Sequence, residues 1–321
     1  MTARALITGG AGFIGSHVAD LFLANGYDVE IIDDLSNGKA ANVPETANLH
    51  RISVTSSEAA RVARDGNFDV LVHLAAQMDV RRSVADPVFD ATTNILGIVN
   101  LLEAVRQSGK NTRVVFTSTG GAIYGDFNKP PNFETNRKEP DSPYAISKLS
   151  SEYYLAYYGR VHALEHVAVR FGNVYGPRQD PHGEAGVVAI FCNRILAGKP
   201  LTIYGDGEQT RDYVYVGDVA NAVFLGATFA IPPAGTVDDR SFNIGTGVGT
   251  SVIDLARILQ EAAGSTAEIT FAPRRPGELQ ESFLNVDKAR TVLGWEPQVS
   301  LADGLAKTFA WSEATSALQQ S

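Results

Sequence analysis

The sequence contains a single cysteine, Cys192, among its 321 residues. An internal disulfide is therefore impossible, and a metal site built from several cysteine thiolates is excluded as well. Six histidines are present, but their spacing is not that of metal ligands, so no metal ion is predicted.

Positive charge is also scarce, since 27 Lys and Arg residues stand against 36 Asp and Glu residues, a net charge of −9. This balance is not typical of nucleic-acid binding and leaves no polybasic membrane anchor. Neither a signal-peptide pattern nor an apolar run of about 18 residues is evident, so no membrane span is predicted. With 44% hydrophobic and 20% charged residues, a globular, cytoplasmic protein of about two domains is expected.

The first half of the chain alternates short apolar runs with segments of helical length. Strands are predicted at 3–8, 29–33, 70–74, 113–118 and 167–170, and helices at 12–25, 94–108 and 143–160. Continuous apolar strands that alternate with helices indicate a doubly wound α/β domain with a parallel sheet.

After about residue 172, glycine and proline interrupt this rhythm. Helices are predicted at 187–197, 251–262 and 302–311, a strand at 201–204, and a late strand at 242–245 that returns to the first sheet. We predict a first domain over 1–172, with returning segments near 211–247, and a smaller C-terminal domain over 173–321. Ligands of open α/β sheets bind at the carboxyl ends of the strands, so the cleft between the domains is the expected site.

The glycine-rich segment TGGAGFIG (8–15) joins the first predicted strand to the first predicted helix. Gly9 suits a tight turn, Gly12 allows backbone to approach a pyrophosphate, and Gly15 allows close packing of helix on sheet. The N-terminus of the helix would offer its N–H groups to phosphate. This combination predicts a dinucleotide site rather than a purely structural turn.

Asp33 ends the second predicted strand, close to the spacing of about 20 residues expected for the acid that binds the adenosine ribose. A carboxylate there hydrogen-bonds a ribose diol and repels a 2′-phosphate, so NAD is predicted over NADP. Asp34 is the alternative for this role. Further cofactor contacts are expected from Asn37, Gly38, Leu74, Ala75 and Ala76.

Tyr144 and Lys148 lie four residues apart, behind a helix start at Ser142-Pro143. They therefore share one helix face. A phenol ordinarily titrates near 10, too high for a base at neutral pH. A nearby ammonium and an oxidised nicotinamide would lower the pKa of Tyr144. The pair is commonplace alone, but behind a dinucleotide motif it predicts a tyrosine base with a lysine partner.

The strand at 113–118 runs into the hydroxyl residues Thr117, Ser118 and Thr119, followed by Gly120 and Gly121. A hydroxyl at the carboxyl end of a strand can bond the reacting oxygen and relay its proton to a base. The same residue types also form turns, so a structural role is the alternative, more so for Ser118.

Together these residues resemble the extended short-chain dehydrogenase/reductase superfamily, and within it the UDP-glucose (UDP-galactose) 4-epimerases. The resemblance covers essentially the whole chain. Its motifs are TGGAGFIGSH (8–17), DDLSNG (33–38), HLAAQ (73–77), STGGAIYG (118–125), PYAISK (143–148), RFGNVYGPRQ (170–179), RDYVYVGDVA (211–220), FNIGTG (242–247), RPGE (275–278) and LGWEP (293–297).

The resemblance implies a Rossmann domain that holds NAD and a C-terminal domain that holds a UDP-sugar. It implies that Tyr144 takes the 4-OH proton of a UDP-hexose while the 4-hydride passes to NAD. The 4-ketose then turns over and receives the hydride on its other face. Lys148 would tune Tyr144 and hold the nicotinamide ribose. Thr119 would be the hydroxyl partner, although one extra residue in the loop before Tyr124 leaves Ser118 open.

The resemblance implies two sets of contacts. The cofactor set is Gly9, Gly12, Phe13, Ile14, Gly15, Asp33, Asp34, Asn37, Gly38, Ser53, Val54, Leu74, Ala75, Ala76, Gln77, Asn94, Thr117, Tyr144, Lys148 and Phe171. The substrate set is Asp79, Ser118, Thr119, Tyr144, Asn173, Gly186, Val187, Val188, Ile203, Tyr204, Arg211, Arg275, Glu278 and Ser282. Arg211 and Arg275 suit a diphosphate because guanidinium binds phosphate oxygens bidentately, with a solvated surface role as the alternative.

Three positions depart from the usual pattern or tune it. Ser53 stands where many relatives have an Asp on adenine, and is a weaker contact. Glu278 replaces the usual Asp, which would shift a uridine-ribose contact. The small Ser282 would leave room for an N-acetyl group, so activity on UDP-GlcNAc/UDP-GalNAc is predicted beside UDP-Glc/UDP-Gal.

Two other reaction types and one non-catalytic role are compatible with the same superfamily. A nucleotide-sugar 4,6-dehydratase needs an additional acid and base, and relatives place them where this chain has Gly120 and Gly121. A 4-epimerase of UDP-glucuronate or UDP-xylose stays open. A non-catalytic NAD-binding relative is disfavoured by the intact Tyr144 and Lys148.

Relatives dimerise through two helices per subunit, here 94–108 and 142–160. Tyr153, Tyr154, Leu155, Tyr157 and Tyr158 make the second helix aromatic-rich. This fits a homodimer interface, but internal packing explains the same residues as well.

Overall fold

The computed structural model describes residues 2–181, 186–274 and 279–320. Its strands are β1 (Arg4–Thr8), β2 (Asp28–Ile32), β3 (Asn48–His50), β4 (Val70–His73), β5 (Arg113–Thr119), β6 (His166–Phe171), β7 (Asn173–Tyr175), β8 (Leu201–Tyr204), β9 (Thr210–Arg211), β10 (Tyr213–Tyr215), β11 (Ser241–Ile244), β12 (Thr250–Ser251), β13 (Ile269–Ala272) and β14 (Glu281–Ser282). Its α-helices are α1 (Phe13–Ala24), α2 (Ser57–Asp65), α3 (Val80–Ala85), α4 (Pro87–Ala91), α5 (Gly97–Ser108), α6 (Pro143–His162), α7 (Val187–Leu196), α8 (Val216–Thr228), α9 (Val252–Ala262) and α10 (Leu301–Gln320).

A seven-stranded parallel sheet of order β11-β6-β5-β4-β1-β2-β3 forms the larger lobe. The chain builds outward from β1 to β3, returns to β4 beside β1, and then builds outward on the other side. The point of reversal lies between β1 and β4, and ligands of open α/β sheets bind outside the carboxyl ends of the strands at such a point. The predicted doubly wound α/β class is confirmed.

Alternating side chains of the central strands separate two apolar layers. Ile7 of β1 packs in the layer that contains Phe22 of α1, whereas Leu6 packs in the layer that contains Leu101 of α5 and Leu155 of α6. Successive residues of a strand point to opposite faces of the sheet. A continuous apolar run is therefore needed to bury both faces, as the sequence pattern indicated.

A third apolar core supports the smaller lobe and includes Phe191 of α7, Ile203 of β8, Leu255 of α9 and Leu305 of α10. The late strand predicted at 242–245 is present as β11. It pairs in parallel with β6 in the large sheet. The chain therefore crosses between the two lobes more than once.

The run Pro87–Ser108 is continuous helix and is long and apolar enough to cross a membrane by length and composition alone, contrary to the sequence expectation. It is the one such run among the described residues. In the most apolar 18-residue stretch of this helix, 44% is buried inside the protein, and Ile98, Leu101 and Leu102 pack in the core. Core helices of globular proteins pass the same test, so the run is weak evidence for a membrane span.

The five residues that make α6 aromatic-rich lie on two different faces of the helix. Leu155 is fully buried and Tyr158 is 6% exposed in the core beside the sheet. The helical period places these two side chains on the inner face, because residues three and four apart lie together. Tyr153, Tyr154 and Tyr157 remain on the outer, exposed face.

Candidate active site

The glycine turn between β1 and α1 excludes any side chain. Gly9 has a φ of +73°, and a Cβ on it would lie 2.7 Å from the backbone nitrogen of Ala75. A Cβ on Gly15 would lie 2.1 Å from the Gly9 carbonyl oxygen. Helix α1 starts at Phe13 and Ile14 behind the N-cap residue Gly12, which has no side chain to cap it. Its first N–H groups are thus available to a phosphate.

Asp33 lies directly after β2 against the glycine turn and is only 7% exposed. Its carboxylate accepts the N–H groups of Leu35 at 2.9 Å and Ala11 at 3.0 Å. Burial raises the pKa of this carboxyl, and the two N–H donors oppose the shift. Asp34 is exposed and accepts the N–H of Ser36. Of the two acids, Asp33 is the one in contact with the glycine turn.

The segments expected around the adenosine differ in burial. Asn37 is exposed, and a Cβ on Gly38 would lie 2.7 Å from the Asp33 carboxylate. Ser53 bonds the hydroxyl of Thr55 at 2.9 Å. Val54 is 5% exposed, and its carbonyl accepts a hydrogen bond from the side-chain amide of Asn100 in α5 at 2.8 Å. Ser53 and Val54 are therefore held beside the sheet at fixed positions.

His73, at the end of β4, was not predicted as a site residue from sequence. Its Nδ1 lies 2.7 Å from the hydroxyl of Thr8, which accepts the Ala75 N–H at 3.2 Å. Burial lowers the pKa of His73 to about 3, with a smaller contribution from Lys148. The neutral ring ties the end of β1 to the small residues 74–76. The motif HLAAQ contained this signal, but its histidine could be interpreted only once Thr8 was seen beside it.

Gln77 and Asn94 form two hydrogen bonds with each other beyond the end of β4. The Gln77 N–H donates to Asn94 Oδ1 at 2.8 Å, and Asn94 Nδ2 donates to the Gln77 carbonyl at 2.9 Å. Asp79 donates its N–H to Gln77 Oε1 and caps α3 by accepting the Arg82 N–H. These three predicted ligand residues thus form one hydrogen-bonded group beyond the end of β4.

Lys148 fixes the N-terminal turns of α6 beside the end of β5. Ser142 caps this helix by accepting the Ala145 N–H. Lys148 is 4% exposed, and its Nζ donates to the carbonyl of Thr117 at 2.9 Å. Tyr144, half-buried, lies one turn earlier on the same face. The tether therefore brings Tyr144 to the carboxyl edge of the sheet.

In the protein alone, burial is the main cause of the pKa shifts of both members of the pair. Burial lowers the pKa of Lys148 to about 8, and the carboxylates of Asp90 and Glu152 oppose the shift. Burial raises the pKa of Tyr144 to about 12, and Asp90 adds to the shift. The lowering of this pKa expected from an ammonium and an oxidised nicotinamide acting together stays a prediction. A further positive charge is needed to bring the phenol into the neutral range.

The two candidate hydroxyls occupy different surroundings. Ser118 is 4% exposed, and its Oγ has no hydrogen-bond partner among the described residues. Thr119 is half-buried at the end of β5, opposite Phe171 of β6. A Cβ on Gly121 would lie 4.0 Å from Thr119 Oγ1 and 3.7 Å from Asn173 Oδ1. Thr119 and Asn173 thus border one open space, which favours Thr119 as the hydroxyl directed at a ligand.

The smaller lobe contributes the remaining predicted residues. Arg211 of β9 pairs with Ser282 of β14, which is 5% exposed. Gly186 caps α7, whose first residues are Val187 and Val188, and β8 contains Ile203 and Tyr204. The side chains of Val188 and Ile203 are 1% exposed and pack in the lobe's own core. Arg275 and Glu278 lie outside the described residues.

The chain is similar over most of its length to proteins of known family. The family model described as GDP-mannose 4,6 dehydratase matches residues 6–308. A UDP-glucose 4-epimerase of Mycolicibacterium smegmatis is 46% identical over 310 residues, which cover 95% of this chain and 97% of that protein. The chain belongs to the extended short-chain dehydrogenase/reductase family.

Two solved structures of this family share the fold over nearly their full length. A UDP-glucose 4-epimerase of Thermotoga maritima with UDP-glucose is 45% identical, with a TM-score of 0.92 and coverage of 97% of this chain and 99% of that chain. A UDP-glucose 4-epimerase of Thermus thermophilus in complex with NAD is 44% identical, with a TM-score of 0.89 and the same coverage.

Within this short-chain dehydrogenase/reductase, Asp212 was not predicted from sequence. It is 1% exposed, and its carboxylate accepts N–H groups of Thr246 at 2.6 Å, Gly247 at 3.1 Å and Leu284 at 3.3 Å. Its backbone carbonyl accepts the Asn173 N–H at 2.6 Å. Asp212 therefore joins three distant segments beside Arg211. The motif RDYVYVGDVA directed attention to its arginine only.

A buried ion pair on the other side of α6 was also not predicted. Arg170 is fully buried, and its Nη2 lies 2.6 Å from Glu152 Oε2. The guanidinium also donates to the Tyr124 hydroxyl at 3.1 Å, and that hydroxyl donates to Asn243 at 2.7 Å. The pair thus fixes the loop that follows β5 against α6 and β11.

Proposed function

We infer that this protein is an NAD-dependent UDP-sugar 4-epimerase. The observation that carries the inference is the tether between Lys148 and Thr117. It places Tyr144 at the same sheet edge as the hydroxyl of Thr119 and the glycine turn. A base, a hydroxyl and a dinucleotide turn at one edge are what reversible oxidation of a sugar alcohol requires.

The residues present fit the cofactor. The N-terminus of α1 has no capping side chain, and the turn at Gly9 lies within contact of the Ala75 backbone. Asp33 is placed to bond the adenosine ribose, and its negative charge opposes a 2′-phosphate. NAD, when bound, supplies a hydride acceptor and the positive nicotinamide charge.

The chain's own residues move one proton. Tyr144 removes the proton of the sugar 4-OH and returns it when the 4-ketose is reduced on its other face. The Thr119 hydroxyl holds the sugar oxygen in the hydrogen-bonded path to Tyr144. Because the phenol has a raised pKa in the protein alone, the added cation of the loaded enzyme is what allows it to act near neutral pH.

The dehydratase reaction is disfavoured by the loop after β5, although the matching family model has a dehydratase description. Gly120 and Gly121 both donate their N–H groups to the Phe171 carbonyl and supply no acid or base. A Cβ on Gly120 would lie 2.6 Å from the side chain of Leu284. An acidic side chain there would not fit without movement of Leu284.

The test is incubation of purified protein with UDP-galactose and no added cofactor, with the C4 configuration followed by NMR. A mixture of UDP-glucose and UDP-galactose would establish epimerisation with retained NAD. No conversion, even with NAD added, would contradict the proposed substrate pair. UDP-glucuronate and UDP-xylose, assayed in parallel, then decide between the alternative 4-epimerases.

The N-acetylated pair is a finer part of the proposal. Ser282 is a small residue beside Arg211, so a sugar bound there would meet no bulky side chain at this position. We expect measurable turnover of UDP-GlcNAc by the same NMR assay. Complete rejection of UDP-GlcNAc by an enzyme that converts UDP-galactose would contradict this part alone.

A homodimer is also proposed, and the outer face of α6 supports it. Ile146, Tyr153, Tyr154, Tyr157 and Val161 are each between 42% and 58% exposed at helical spacing. A contiguous apolar stripe of this kind is typical of an interface. Light scattering after gel filtration should give the mass of two chains, and the mass of one chain would contradict the proposal.

A further inference from the structure

Asp212 is a buried carboxylate at the junction of the two lobes, and the reaction as described above does not use it. It stands between β9, which ends at Arg211, and β10, which begins at Tyr213, and it is 1% exposed. Burial of a carboxylate is costly unless its oxygens are hydrogen-bonded. The partners of Asp212 therefore show which segments it holds together.

Four donor groups converge on the two carboxylate oxygens of Asp212. Oδ1 accepts the Thr246 N–H at 2.6 Å and the Thr246 hydroxyl at 2.7 Å. Oδ2 accepts the N–H of Gly247 at 3.1 Å and that of Leu284 at 3.3 Å. Backbone N–H groups can only donate, so both oxygens of the side chain must act as acceptors. A carboxylate meets this requirement, whereas a side-chain amide has a single acceptor oxygen.

Two glycines leave the space that Asp212 occupies. A Cβ on Gly172 would lie 2.8 Å from the Asp212 carbonyl oxygen, and a Cβ on Gly245 would overlap with its Oδ2. Gly172 directly follows β6 and Gly245 directly follows β11, and these two strands are neighbours in the seven-stranded sheet. Asp212 therefore packs directly on the carboxyl edge of that sheet.

The backbone of Asp212 fixes Asn173, which is a predicted substrate residue. Its carbonyl accepts the Asn173 N–H at 2.6 Å, and β10 continues this contact by pairing in parallel with β7. Asn173 Oδ1 borders the open space beside Gly121 that Thr119 Oγ1 also borders. Because the Asp212 side chain is anchored at both oxygens, the backbone that holds Asn173 is anchored with it.

The contact with Leu284 extends the same hold to Ser282. Ser282 ends β14 two residues before Leu284, and it pairs with Arg211 of β9. The side chain of Leu284 lies close to Gly120, since a Cβ on this glycine would lie 2.6 Å from it. The predicted substrate residues Arg211 and Ser282 thus lie on two strands whose following segments are joined by Asp212.

We propose that Asp212 is a positioning residue that sets the nucleotide-sugar half of the site, so that affinity for the UDP portion of the substrate depends on its carboxylate. The identity of this ligand rests on the proposed function, whereas the hydrogen bonds of Asp212 do not. Its partners Asn173, Thr246, Gly247 and Leu284 all lie outside the glycine turn and α1. Binding of NAD should therefore not depend on it.

The test compares Asp212→Asn with Asp218→Asn. In the first variant a backbone N–H faces an NH₂ group whichever way the amide turns, because only one oxygen remains. Asp218 of α8 is the matched control. It is also buried, at 6% exposed, and its Oδ2 accepts the N–H of the distant Val299 at 3.1 Å. Val299 is not one of the residues that Asp212 holds.

The first readout is the dissociation constant of UDP, measured by calorimetry on NAD-loaded protein well below its melting temperature. In Asp212→Asn this constant should rise about tenfold or more, because an unsatisfied buried donor displaces the segment that carries it. In Asp218→Asn it should match the wild type, even where the melting temperature falls equally. Retained NAD should be the same in all three proteins. An unchanged UDP constant in Asp212→Asn, or an equal rise in Asp218→Asn, would overturn the proposal.

The second readout is the kinetics of UDP-galactose epimerisation. In Asp212→Asn the KM should rise together with the UDP constant, and kcat should change by a smaller factor. A fall confined to kcat, with KM at the wild-type value, would contradict a role in substrate binding.

Hydrogen exchange separates this proposal from the proposed function. If the wild type binds no UDP, the proposed function fails, and exchange in the unliganded protein decides the role of Asp212. The amides of Asn173 and Leu284 should exchange faster in Asp212→Asn than in the wild type, and those of α6 at the same rate. Equal exchange at Asn173 and Leu284 would overturn the proposal.

A milder variant covers the case in which Asp212→Asn does not fold. Thr246→Val removes one of the four donor groups and keeps the three backbone donors. It should raise the UDP constant about two- to fivefold, the size expected for one hydrogen bond. A UDP constant equal to that of the wild type would then count against the positioning role.

Discussion

The carboxyl and amino edges of the seven-stranded sheet contain the same residue types in different surroundings. Gly9 and Gly26 both have positive φ, at +73° and +80°. A Cβ on Gly9 would meet the Ala75 backbone, whereas a Cβ on Gly26 would meet nothing within 4 Å. At Gly9, both the positive φ and the neighbouring Ala75 backbone disfavour a side chain. At Gly26, only the positive φ of the turn does.

The same contrast holds for tyrosine and histidine. Tyr144 and Tyr158 lie at opposite ends of α6, and His73 and His166 lie at opposite ends of parallel strands. Tyr158 donates to Glu103 at 3.0 Å, and His166 bonds the Leu164 carbonyl close by in sequence. Both amino-edge groups are thus hydrogen-bonded within the protein, whereas Tyr144 lies half-buried at the carboxyl edge. The same residue type is therefore proposed to act in the reaction at the carboxyl edge and to stabilise the fold at the amino edge.

The largest effect is expected from Tyr144→Phe compared with Tyr158→Phe. The first removes the proposed base and should lower kcat about 10²- to 10⁴-fold, with an unchanged melting temperature. The second should leave kcat near the wild-type value. Loss of its hydrogen bond to Glu103 should reduce the free energy of unfolding by about 0.5–1.5 kcal/mol. Equal losses of kcat in the two variants would break the distinction between the edges.

Gly9→Ala and Gly26→Ala sharpen the comparison through stability. Both introduce a side chain at positive φ, which costs about 1–2 kcal/mol. Gly9→Ala also forces Cβ against the Ala75 backbone, for a total of about 2–5 kcal/mol. Denaturant unfolding measures both values, and assay of NAD retained through purification should show loss for Gly9→Ala only. NAD loss in Gly26→Ala would contradict the assignment of the glycine turn.

The last comparison concerns pH, and its effect should be shared by both edges. Burial lowers the pKa of His73 to about 3 and that of His166 to about 4, from an ordinary value of 6.5. The unfolded chain therefore binds protons that the folded chain does not, so stability is lost as pH falls from 6.5 toward 4. Each histidine contributes a slope of about 1.4 kcal/mol per pH unit.

His73→Gln and His166→Gln should each lower the pH dependence of the free energy of unfolding by about 1.4 kcal/mol per pH unit between pH 6 and pH 4. Above pH 7 the stability difference from the wild type should no longer vary with pH. Only His73→Gln, which loses the bond to Thr8, should weaken NAD retention. A slope unchanged in both variants would show that these rings are protonated in the folded state.

Local sequence determined the elements that need only neighbouring residues. The glycine turn, the alternation of strands and helices and the four-residue spacing of Tyr144 and Lys148 each follow from backbone geometry over a few positions. For this reason each predicted strand, including β11, lies within one residue of its observed bounds. Local sequence did not show which aromatic residues of α6 are buried, since Leu155 and Tyr158 are covered by elements far away in sequence.

Tertiary structure alone decided which groups carry charge and where. Asp90, Asp212 and Arg170 are joined to partners up to 57, 72 and 68 positions away in sequence, and no local pattern reveals such contacts. Burial raises the pKa of Tyr144 in the protein alone, and this burial depends on the packing of several segments around one phenol. Short-range geometry is written in the sequence, whereas desolvation and electrostatic fields arise only when distant segments enclose a side chain.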